Sequence, residues 1–592
     1  MGHRHHRQPE SGITVHHKGF KHERRIYAER GSRFQTVGGR GRVMCIRVDA
    51  EGHCGSGQRH RRPSALGRCH ESRVCRGSGR RAPSGRPPRT AYSGLVSDDV
   101  TAETDAVPHH RVVIVGAGFS GIAMAVRLRE AGIEDLVILE KAHDVGGTWR
   151  DNRYPGCACD VPSRLYSLSF APKATWSRDF ASAGEIWDYL RECVDRFDLR
   201  RCLRTGVDVS SARWTGDRWQ VAAADGRRWT AGALVLGVGG LHVPVWPDLP
   251  GLHDFAGNVV HTADWPDGLD LTGRRVGVIG TGASAVQLVP AIVDEVEHLT
   301  VFQRTPSWIV PRHDQPWGAA RQRLFARWPI TQRLARLRTY AKLEVRVLGF
   351  GRLERLRPIV ERQILERLAR AVPDEATRRA LTPDYALGCK RVLLSDDYWP
   401  TFARPHVVLE TDPIVGVDPG GIVTSAGSRH DLDVLVIATG FDPGGSFERL
   451  DVRGQDGKTL GADWVAAGRP THFGVTVAGL PELYLLLGPN TALGHSSVVL
   501  QIESAVRYAV SAILRADRVG PSVVTERAQQ RFAAWLRRRT RHTVWASGCR
   551  SWYLDSQGRN VTIWPASTVR YRWATRRARP EDFEPAAPRQ PS

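Results

Sequence analysis

The amino-acid sequence predicts an α/β protein with two nucleotide-binding units and a helical insertion in the second unit. Two stretches predict the units, because at residues 116–121 and again at residues 280–285 a glycine-rich turn stands between an apolar run and a helical pattern. A third stretch predicts the insertion, since residues 313–387 show no strand alternation and carry Leu, Val and Ile at helical spacing. The 592 residues leave room for several domains.

The first unit begins with an apolar run, residues 111–115, that is typical of a buried parallel strand. Three glycines follow at the spacing of a dinucleotide-binding turn: Gly116, Gly118 and Gly121. The first makes the turn, the second lets backbone N–H groups approach a pyrophosphate, and the third lets the helix pack on its strand. A second apolar run ends in Glu140, 19 residues beyond the last glycine, where a carboxylate accepts hydrogen bonds from ribose hydroxyls. This order predicts a Rossmann-like unit; a glycine-rich turn that merely packs is the alternative.

The second unit repeats the pattern, with a strand at residues 275–279 and a turn that contains Gly280, Gly282 and Ser284. Its next strand ends in Gln303, Arg304 and Thr305, so the acid that ends the first unit is absent here. A carboxylate would repel a 2′-phosphate, whereas a guanidinium binds one bidentately. We therefore expect FAD in the first Rossmann-like domain and NADPH in the second. The alternative for Arg304 is a solvated surface charge.

A loop rich in Gly and Pro, residues 146–160, follows the first unit. It carries the large planar side chains of Trp149 and Tyr154 and ends in Asp160. Such a loop suits the flat ring system of a flavin, and its candidate contacts are Gly147, Thr148 and Trp149. An ordinary surface loop with core aromatic residues is the alternative.

Three segments resemble the Baeyer–Villiger monooxygenase family of flavoproteins. Residues 255–266, FAGNVVHTADWP, match the family signature FxGxxxHxxxWP, where flavin-containing N-oxidising monooxygenases usually end in Tyr or Phe. Residues 146–160 match a second family signature, Gly-Gly-x-Trp followed by Tyr-Pro-Gly and Asp, and residues 433–442 resemble the family's Ala-Thr-Gly strand. The resemblance covers residues 107–575. One departure lies at residues 236–240, LGVGG, where the family commonly reads Ala-Thr-Gly-Gly.

The resemblance also implies roles for single residues. Residues 389–398 resemble the family's Lys-Arg segment, so Arg391 is expected to be the active-site arginine and Lys390 to join Arg304 at the 2′-phosphate. Asp160 matches the carboxylate that holds this arginine in place. Without the resemblance, Lys390 and Arg391 would be interpreted as a surface basic pair.

The function implied by the resemblance is that of an FAD- and NADPH-dependent monooxygenase. It would insert one oxygen atom of O2 next to a ketone carbonyl through a C4a-peroxyflavin, giving an ester or a lactone. The peroxide anion and the negatively charged adduct need a fixed cation, and the guanidinium of Arg391 stays charged at any working pH. His261 and Trp265 are interpreted as positioning elements, with packing as the alternative. Two other functions stay open: N- or S-oxygenation of amines or sulfides, and a non-catalytic nucleotide-binding flavoprotein.

The net charge of +22 is concentrated near the N-terminus. Residues 1–97 hold 21 Lys and Arg against 6 Asp and Glu, a net charge of +15, whereas the rest holds 63 against 56, a net charge of +7. This segment has few apolar runs and cannot bury enough surface to offset chain entropy. Its interpretations are an artefactual upstream extension, a disordered tail, and a nucleic-acid-binding arm, of which we favour the first. We expect no nucleic-acid partner.

The ten cysteines are scattered, which fits a reducing cytoplasm better than a disulfide framework. Cys157 and Cys159 are separated by one residue rather than the two of a redox dithiol, so a flavin disulfide reductase is disfavoured. No cysteine pair has zinc-site spacing, and we expect no metal. No apolar run reaches the ~18 residues of a membrane span. We therefore expect a cytoplasmic protein, and we expect it to be a monomer or dimer. The resemblance implies that its partners are a small-molecule ketone and O2.

The chain divides into six predicted segments. These are a basic extension (1–104), the FAD-binding domain (105–240), the NADPH-binding domain (241–312), the helical insertion (313–387), the return of the NADPH-binding domain (388–432), and the return of the FAD-binding domain with a C-terminal tail (433–592). Further elements are expected at residues 185–205 (helix), 213–224 (β-meander) and 497–514 (helix). The Arg-rich insertion has two interpretations, a cap over the substrate pocket and a peripheral contact with an anionic membrane surface.

Overall fold

The computed structural model describes residues 107–350, 354–549 and 551–587. The interpretations of residues 1–97, including their four cysteines, lie outside the described residues. Among the described helices, none combines the length and the hydropathy needed to cross a membrane.

The described strands, in chain order, are β1 (His109–Val115), β2 (Leu136–Leu139), β3 (Leu203–Arg204), β4 (Val209–Trp214), β5 (Trp219–Ala223), β6 (Arg228–Leu236), β7 (Asn258–His261), β8 (Arg275–Ile279), β9 (His298–Phe302), β10 (Ile309–Val310), β11 (Leu393–Leu394), β12 (Val407–Glu410), β13 (Ile414–Asp418), β14 (Gly421–Thr424), β15 (Arg429–Asp431), β16 (Val434–Ile437), β17 (Asp451–Arg453), β18 (Leu483–Leu485), β19 (Ser522–Val524) and β20 (Phe583–Pro585).

The described α-helices are α1 (Phe119–Glu130), α2 (Thr148–Asp151), α3 (Ala183–Arg196), α4 (Ala283–Ile292), α5 (Ala319–Arg327), α6 (Pro329–Val345), α7 (Arg357–Ala371), α8 (Glu375–Ala380), α9 (Tyr398–Thr401), α10 (Gly445–Glu448), α11 (Ala462–Ala466), α12 (Val498–Val519), α13 (Glu526–Thr540) and α14 (Thr568–Ala574).

The first sheet is organised around β1, which lies between β2 and β6 in parallel register. Its strand order is β17-β4-β5-β6-β1-β2-β3, and the long β6 pairs with β5 along its first half and with β18 along its second. Alternate residues of β1 face opposite layers: Ile114 packs with α1, α3 and α12, whereas Val113 packs with the antiparallel β4–β6 meander. The predicted first strand and β-meander are therefore confirmed.

The second sheet contains five parallel strands in the order β12-β9-β8-β16-β7. Strand β8 pairs with β9 on one side and with β16 on the other, so its carboxyl end lies at the middle of the sheet edge. Helix α4 follows β8, as the sequence predicted. A ligand crevice forms at such an edge, beyond the carboxyl ends of parallel strands.

Between β10 and β11, the described residues form the helices α5–α8 and contain no strand, in agreement with the predicted absence of strands. Two other helices differ from prediction in length. Helix α3 ends at Arg196 because Asp198 adopts a positive φ of 51° and breaks the pattern. Helix α12 runs five residues further than predicted, from the Ser497 N-cap to Gly520.

The cysteine prediction needs one correction. Cys389 and Cys549 form a disulfide across a sequence separation of 160 residues, whereas the other four described cysteines are free. Scattered spacing in the sequence did not indicate this pair, because the fold brings the two residues together through the packing of the segment around Trp545 on the segment around Tyr385.

Candidate active site

The turn between β1 and α1 is shaped by its glycines. Gly116 has a φ of +97°, and a Cβ there would lie 2.7 Å from the carbonyl oxygen of Gly237. A Cβ on Gly121 would overlap the carbonyl oxygen of Gly116, so this glycine allows α1 to approach β1 closely. A Cβ on Gly118, in contrast, would meet no atom within 4 Å. The space beside Gly118, at the N-terminus of α1, fits a pyrophosphate that accepts backbone N–H groups.

Glu140 lies at the tip of β2 with an exposed fraction of 4%. Its carboxylate accepts hydrogen bonds from the backbone N–H groups of Ala117 at 2.7 Å and Ala142 at 3.0 Å, and from Arg150 Nη1 at 3.1 Å. Burial lowers the pKa of Arg150, but Asp151 and Glu140 oppose this and leave the pKa raised. The carboxylate is therefore held in one place beside the glycine turn, where a ribose would lie. Sequence reasoning missed Arg150.

The turn between β8 and α4 has the same construction. Gly280 has a φ of +116°, and a Cβ there would lie 2.6 Å from the carbonyl oxygen of Ala438, while a Cβ on Gly282 would meet nothing within 4 Å. Ser284 lies in the first turn of α4, half-buried beside this space. The Thr305 carbonyl oxygen accepts a hydrogen bond from Thr281 Oγ1 at 2.7 Å, which fixes the segment after β9 against the turn.

Arg304 and Lys390 come together at the edge of this second unit. The pKa of Lys390 is lowered, first because the side chain is partly buried and also because the charge of Arg304 is near, while Asp384 opposes the effect. Lys390 Nζ lies 4.6 Å above the Tyr385 ring. No described carboxylate forms an ion pair with either cation. Two neighbouring cations without a paired carboxylate suit a dianionic phosphate.

The loop at residues 146–160 connects the two units. Its start lies over the first turn, since a Cβ on Gly147 would be 3.6 Å from the Gly118 Cα. Thr148 begins α2, and Trp149 Nε1 donates to the Tyr166 hydroxyl at 3.2 Å. Further along, the Tyr154 hydroxyl donates to Gln287 Oε1 on α4 at 2.9 Å. The loop is thus fixed to both nucleotide-binding units.

Asp160 ends this loop and binds Arg391, which lies 231 residues away in sequence. Arg391 Nε donates to Asp160 Oδ2 at 3.0 Å, and Arg391 Nη2 donates to the same oxygen. Asp160, the larger influence, raises the pKa of Arg391 against the effect of burial, and the guanidinium stays about a third exposed. Arg391 Nη1 faces the Leu493 carbonyl oxygen at 3.5 Å. A permanent cation is therefore held with a fixed orientation at a surface that a ligand can reach.

Comparison with known proteins identifies the family. A sequence-family profile described as pyridine nucleotide-disulphide oxidoreductase matches residues 113–317. A Baeyer-Villiger monooxygenase of Pseudomonas aeruginosa is 41% identical over 477 residues, which cover 80% of this chain and 90% of that protein. Another, from Streptomyces coelicolor, is 41% identical over 494 residues, which cover 82% and 95%. The chain belongs to the Baeyer–Villiger monooxygenases.

Solved structures agree with this assignment. A steroid monooxygenase bound to NADP superposes with a TM-score of 0.72 at 33% identity, covering 80% of this chain and 99% of that chain. A closed cyclohexanone monooxygenase superposes with a TM-score of 0.73 at 30% identity, covering 81% and 100%. The predicted resemblance and fold class are confirmed, and the chain is an enzyme rather than a non-catalytic flavoprotein.

Cys157 and Cys159 of this Baeyer–Villiger monooxygenase are both free thiols, although the matching profile is named for disulphide oxidoreductases. Burial raises the pKa of Cys157 to about 11 and raises that of Cys159 as well, so neither is an activated thiolate. Within the described ranges, no group of three or more His, Cys, Asp or Glu side chains could hold a metal ion.

The structure adds Tyr553 to the surroundings of the active-site arginine. Its side chain is 1% exposed, burial raises its pKa, and the charge of Arg391 opposes that shift. The segment that carries Tyr553 is fixed to the segment of Arg391 by the Cys389–Cys549 disulfide and by a hydrogen bond from Trp545 Nε1 to the Gly388 carbonyl oxygen. From the sequence, the aromatic residues at 552–553 were interpreted as packing the last layer of the fold, with lining of the substrate mouth as the alternative, and their position beside Arg391 was not predicted.

His261 and Trp265 of the family signature are both buried, at 2% and 7% exposed. His261 Nδ1 accepts a hydrogen bond from the Ala263 N–H at 3.0 Å, and burial lowers the pKa of the ring. His261 ends β7, and the centroid of its ring lies 5.3 Å from that of the Trp246 ring. The packing role is therefore present in the structure.

Proposed function

We propose that this enzyme inserts one oxygen atom of O2 next to the carbonyl of a ketone, with FAD and NADPH as cofactors, and forms an ester or a lactone. Membership of the Baeyer–Villiger monooxygenases supports the reaction class. When bound, NADPH would supply a hydride and FAD would supply the reactivity toward O2 that no side chain provides. The monomeric or dimeric state and the cytoplasmic location stay predictions from the sequence.

The first glycine turn and the connecting loop supply the FAD site. The residues that we assign to it are Gly116, Gly118, Gly121, Glu140, Gly147, Thr148, Trp149 and Asp160. The open space at Gly118 and the fixed carboxylate of Glu140 support this assignment. Backbone N–H groups at the start of α1 would bind the pyrophosphate, and Glu140 would orient the ribose.

The second turn and its neighbouring cations supply the NADPH site. The residues that we assign to it are Gly280, Gly282, Ser284, Arg304, Thr305 and Lys390. The open space at Gly282 and the proximity of Lys390 to Arg304 support this assignment. Arg304 presents a planar fork and Lys390 a point charge, and together they would neutralise a 2′-phosphate that NADH lacks.

Arg391 is the residue that we propose to stabilise negative charge on oxygen when the ketone carbonyl is attacked. The observation that carries this role is the Asp160–Arg391 ion pair between the two nucleotide-binding units. A guanidinium needs no proton transfer to remain a cation, and Asp160 sets its orientation before the substrate binds. Oriented charge of this kind stabilises a developing anion more than the same charge in water.

The test compares Arg391→Ala with Arg404→Ala, a matched control whose arginine forms an exposed ion pair with Asp294. We expect Arg391→Ala to keep flavin reduction by NADPH within a few-fold in stopped-flow absorbance. Formation of ester from a ketone, measured by product mass, should fall by about 10²–10³.

Arg404→Ala should change neither step. Ester formation by Arg391→Ala at the rate of the parent enzyme would refute the proposed role. A sulfide in the same assay distinguishes the remaining alternative, because heteroatom oxygenation forms no anionic carbonyl adduct and would survive the loss of Arg391.

A further inference from the structure

The outer face of α5 and α6 exposes large apolar side chains. The exposed fractions are 47% for Leu324, 56% for Trp328, 57% for Ile330, 52% for Leu334, 58% for Leu337 and 60% for Val345. Ile330, Leu334 and Leu337 are spaced by four and three residues, so they form one stripe along α6. The opposite side of α6 faces the protein, where Leu343 is buried and Arg336 donates to the Arg164 carbonyl oxygen.

The concentration of these side chains distinguishes the face from an ordinary surface. Of the 19 large hydrophobic residues that are exposed in the described part of the chain, six lie in the segment of α5 and α6. Single exposed apolar residues are common on soluble proteins, but a contiguous exposed patch marks an interaction site.

The same face is strongly basic. Residues 319–349 contain seven Arg and one Lys but one acid, Glu344. Glu344 points inward, because its carboxylate accepts hydrogen bonds at 2.7 Å from both the N–H and the hydroxyl of Thr568. The exposed cations that flank the apolar stripe are Arg323, Arg327, Arg333, Arg338 and Lys342. None of them forms an ion pair with a described carboxylate.

Helix α14 extends this surface. Glu344 Oε1 also lies 3.4 Å from the Val569 N–H, which fixes the start of α14 beside the end of α6. Val569 is 54% exposed and Trp573, one turn further, is 58% exposed. Arg570 and Arg572 accompany them, so the combination of apolar and basic side chains continues.

Charge decides between the occupants that could cover this face. A second copy would bring the same cations against each other, and residues 1–97 of this chain carry a net charge of +15 and would be repelled. An anionic lipid bilayer matches both properties, since Trp and Leu enter the boundary of the headgroups and acyl chains while Arg binds lipid phosphates. We propose that α5, α6 and α14 form a docking surface for an anionic membrane, on which the enzyme lies without spanning it. This inference does not depend on the proposed chemistry.

The experiment measures binding of the full-length, FAD-loaded enzyme to vesicles by flotation. We expect binding to phosphatidylcholine vesicles that contain phosphatidylglycerol, no binding to phosphatidylcholine alone, and weaker binding at high salt. Each cation near an anionic surface contributes about fivefold to the partition coefficient. Arg333→Glu with Arg338→Glu should therefore lower partitioning by more than about 25-fold.

A second variant, Leu334→Asp with Leu337→Asp, tests the apolar part, and we expect a loss of at least about tenfold. Its matched control is Val415→Asp with Val519→Asp, which changes two equally exposed valines (51% and 62%) outside the face and should bind as the parent does. NADPH-dependent turnover in solution should be the same in all variants, which shows that each is folded.

Three results would overturn the proposal. The first is a parent enzyme that does not bind the phosphatidylglycerol vesicles. The second is equal binding by the α6 variants and the control, which would assign binding to the basic residues 1–97. The third is a parent that sediments as a dimer and ignores vesicles while Leu334→Asp with Leu337→Asp sediments as a monomer, which would make the face a contact between two copies.

Discussion

The two nucleotide-binding units show how one backbone design serves two ligands. In both, the first glycine has a positive φ and would clash with a carbonyl oxygen of the crossing segment if it carried a Cβ, at 2.7 Å for Gly116 and 2.6 Å for Gly280. In both, the second glycine, Gly118 or Gly282, faces open space at a helix N-terminus. This shared geometry suits a pyrophosphate and gives no reason to prefer one dinucleotide over another.

The difference lies at the tip of the second strand of each unit. Glu140 is buried and its carboxylate is fixed by the Ala117 N–H. At the corresponding tip, Gln303 is buried and its Nε2 donates to the Ala380 carbonyl oxygen, while Arg304 is exposed beside Lys390. We therefore propose that the residue at this tip selects the ribose, because a carboxylate accepts hydroxyl hydrogen bonds and a guanidinium binds a phosphate.

The largest expected effects come from two substitutions, each of which should prevent one of the two units from binding its cofactor. Gly118 and Gly282 have φ values of −84° and −80°, which any residue adopts, so Gly118→Val and Gly282→Val should both fold. Gly118→Val should be purified without FAD, because its side chain occupies the space for the pyrophosphate. Gly282→Val should keep its FAD absorbance but lose reduction by NADPH. The measurements are the flavin spectrum and its bleaching; a Gly282→Val enzyme that NADPH still reduces at the normal rate would contradict the assignment.

The next effect is the loss of the second unit's preference for NADPH over NADH. Arg304→Ala removes a charged hydrogen bond worth about 1.5–3 kcal/mol, so KM for NADPH should rise by about 10–100-fold. KM for NADH should stay within a few-fold, since NADH has no 2′-phosphate. Arg404→Ala is the control for loss of a surface arginine. Equal increases in KM for both coenzymes would show that Arg304 maintains the fold of the unit and does not bind the 2′-phosphate.

The sequence predicted the elements formed by neighbouring residues but not the contacts between residues that are far apart in the chain. The strand, turn and helix of each unit occupy fewer than about thirty neighbouring residues, so periodicity and glycine spacing were sufficient. Asp160 and Arg391 are 231 residues apart, and only the family resemblance indicated their pairing. Nothing in the sequence indicated the Cys389–Cys549 disulfide or the position of Tyr553, because both depend on how the C-terminal segment packs on the segment around Arg391.

The smallest expected effect is a dependence on pH of kcat/KM for NADPH, which involves the second unit alone. Partial burial and the charge of Arg304 lower the pKa of Lys390, so its ammonium loses a proton at a lower pH than an ordinary lysine. Above that pKa the neutral amine no longer attracts a phosphate, and kcat/KM for NADPH should fall by a few-fold on the alkaline side. The same profile measured with NADH should lack this fall.

Lys390→Arg isolates the cause, because a guanidinium stays protonated throughout the range and should remove the alkaline fall while keeping the preference for NADPH. Binding of FAD to the first unit should not change, since the acid at its tip lies in a different sheet. An alkaline fall that persists unchanged in Lys390→Arg would assign the titration to another group. The charge of Lys390 would then not contribute to binding of the 2′-phosphate, and Arg304 alone would account for the preference of the second unit for NADPH.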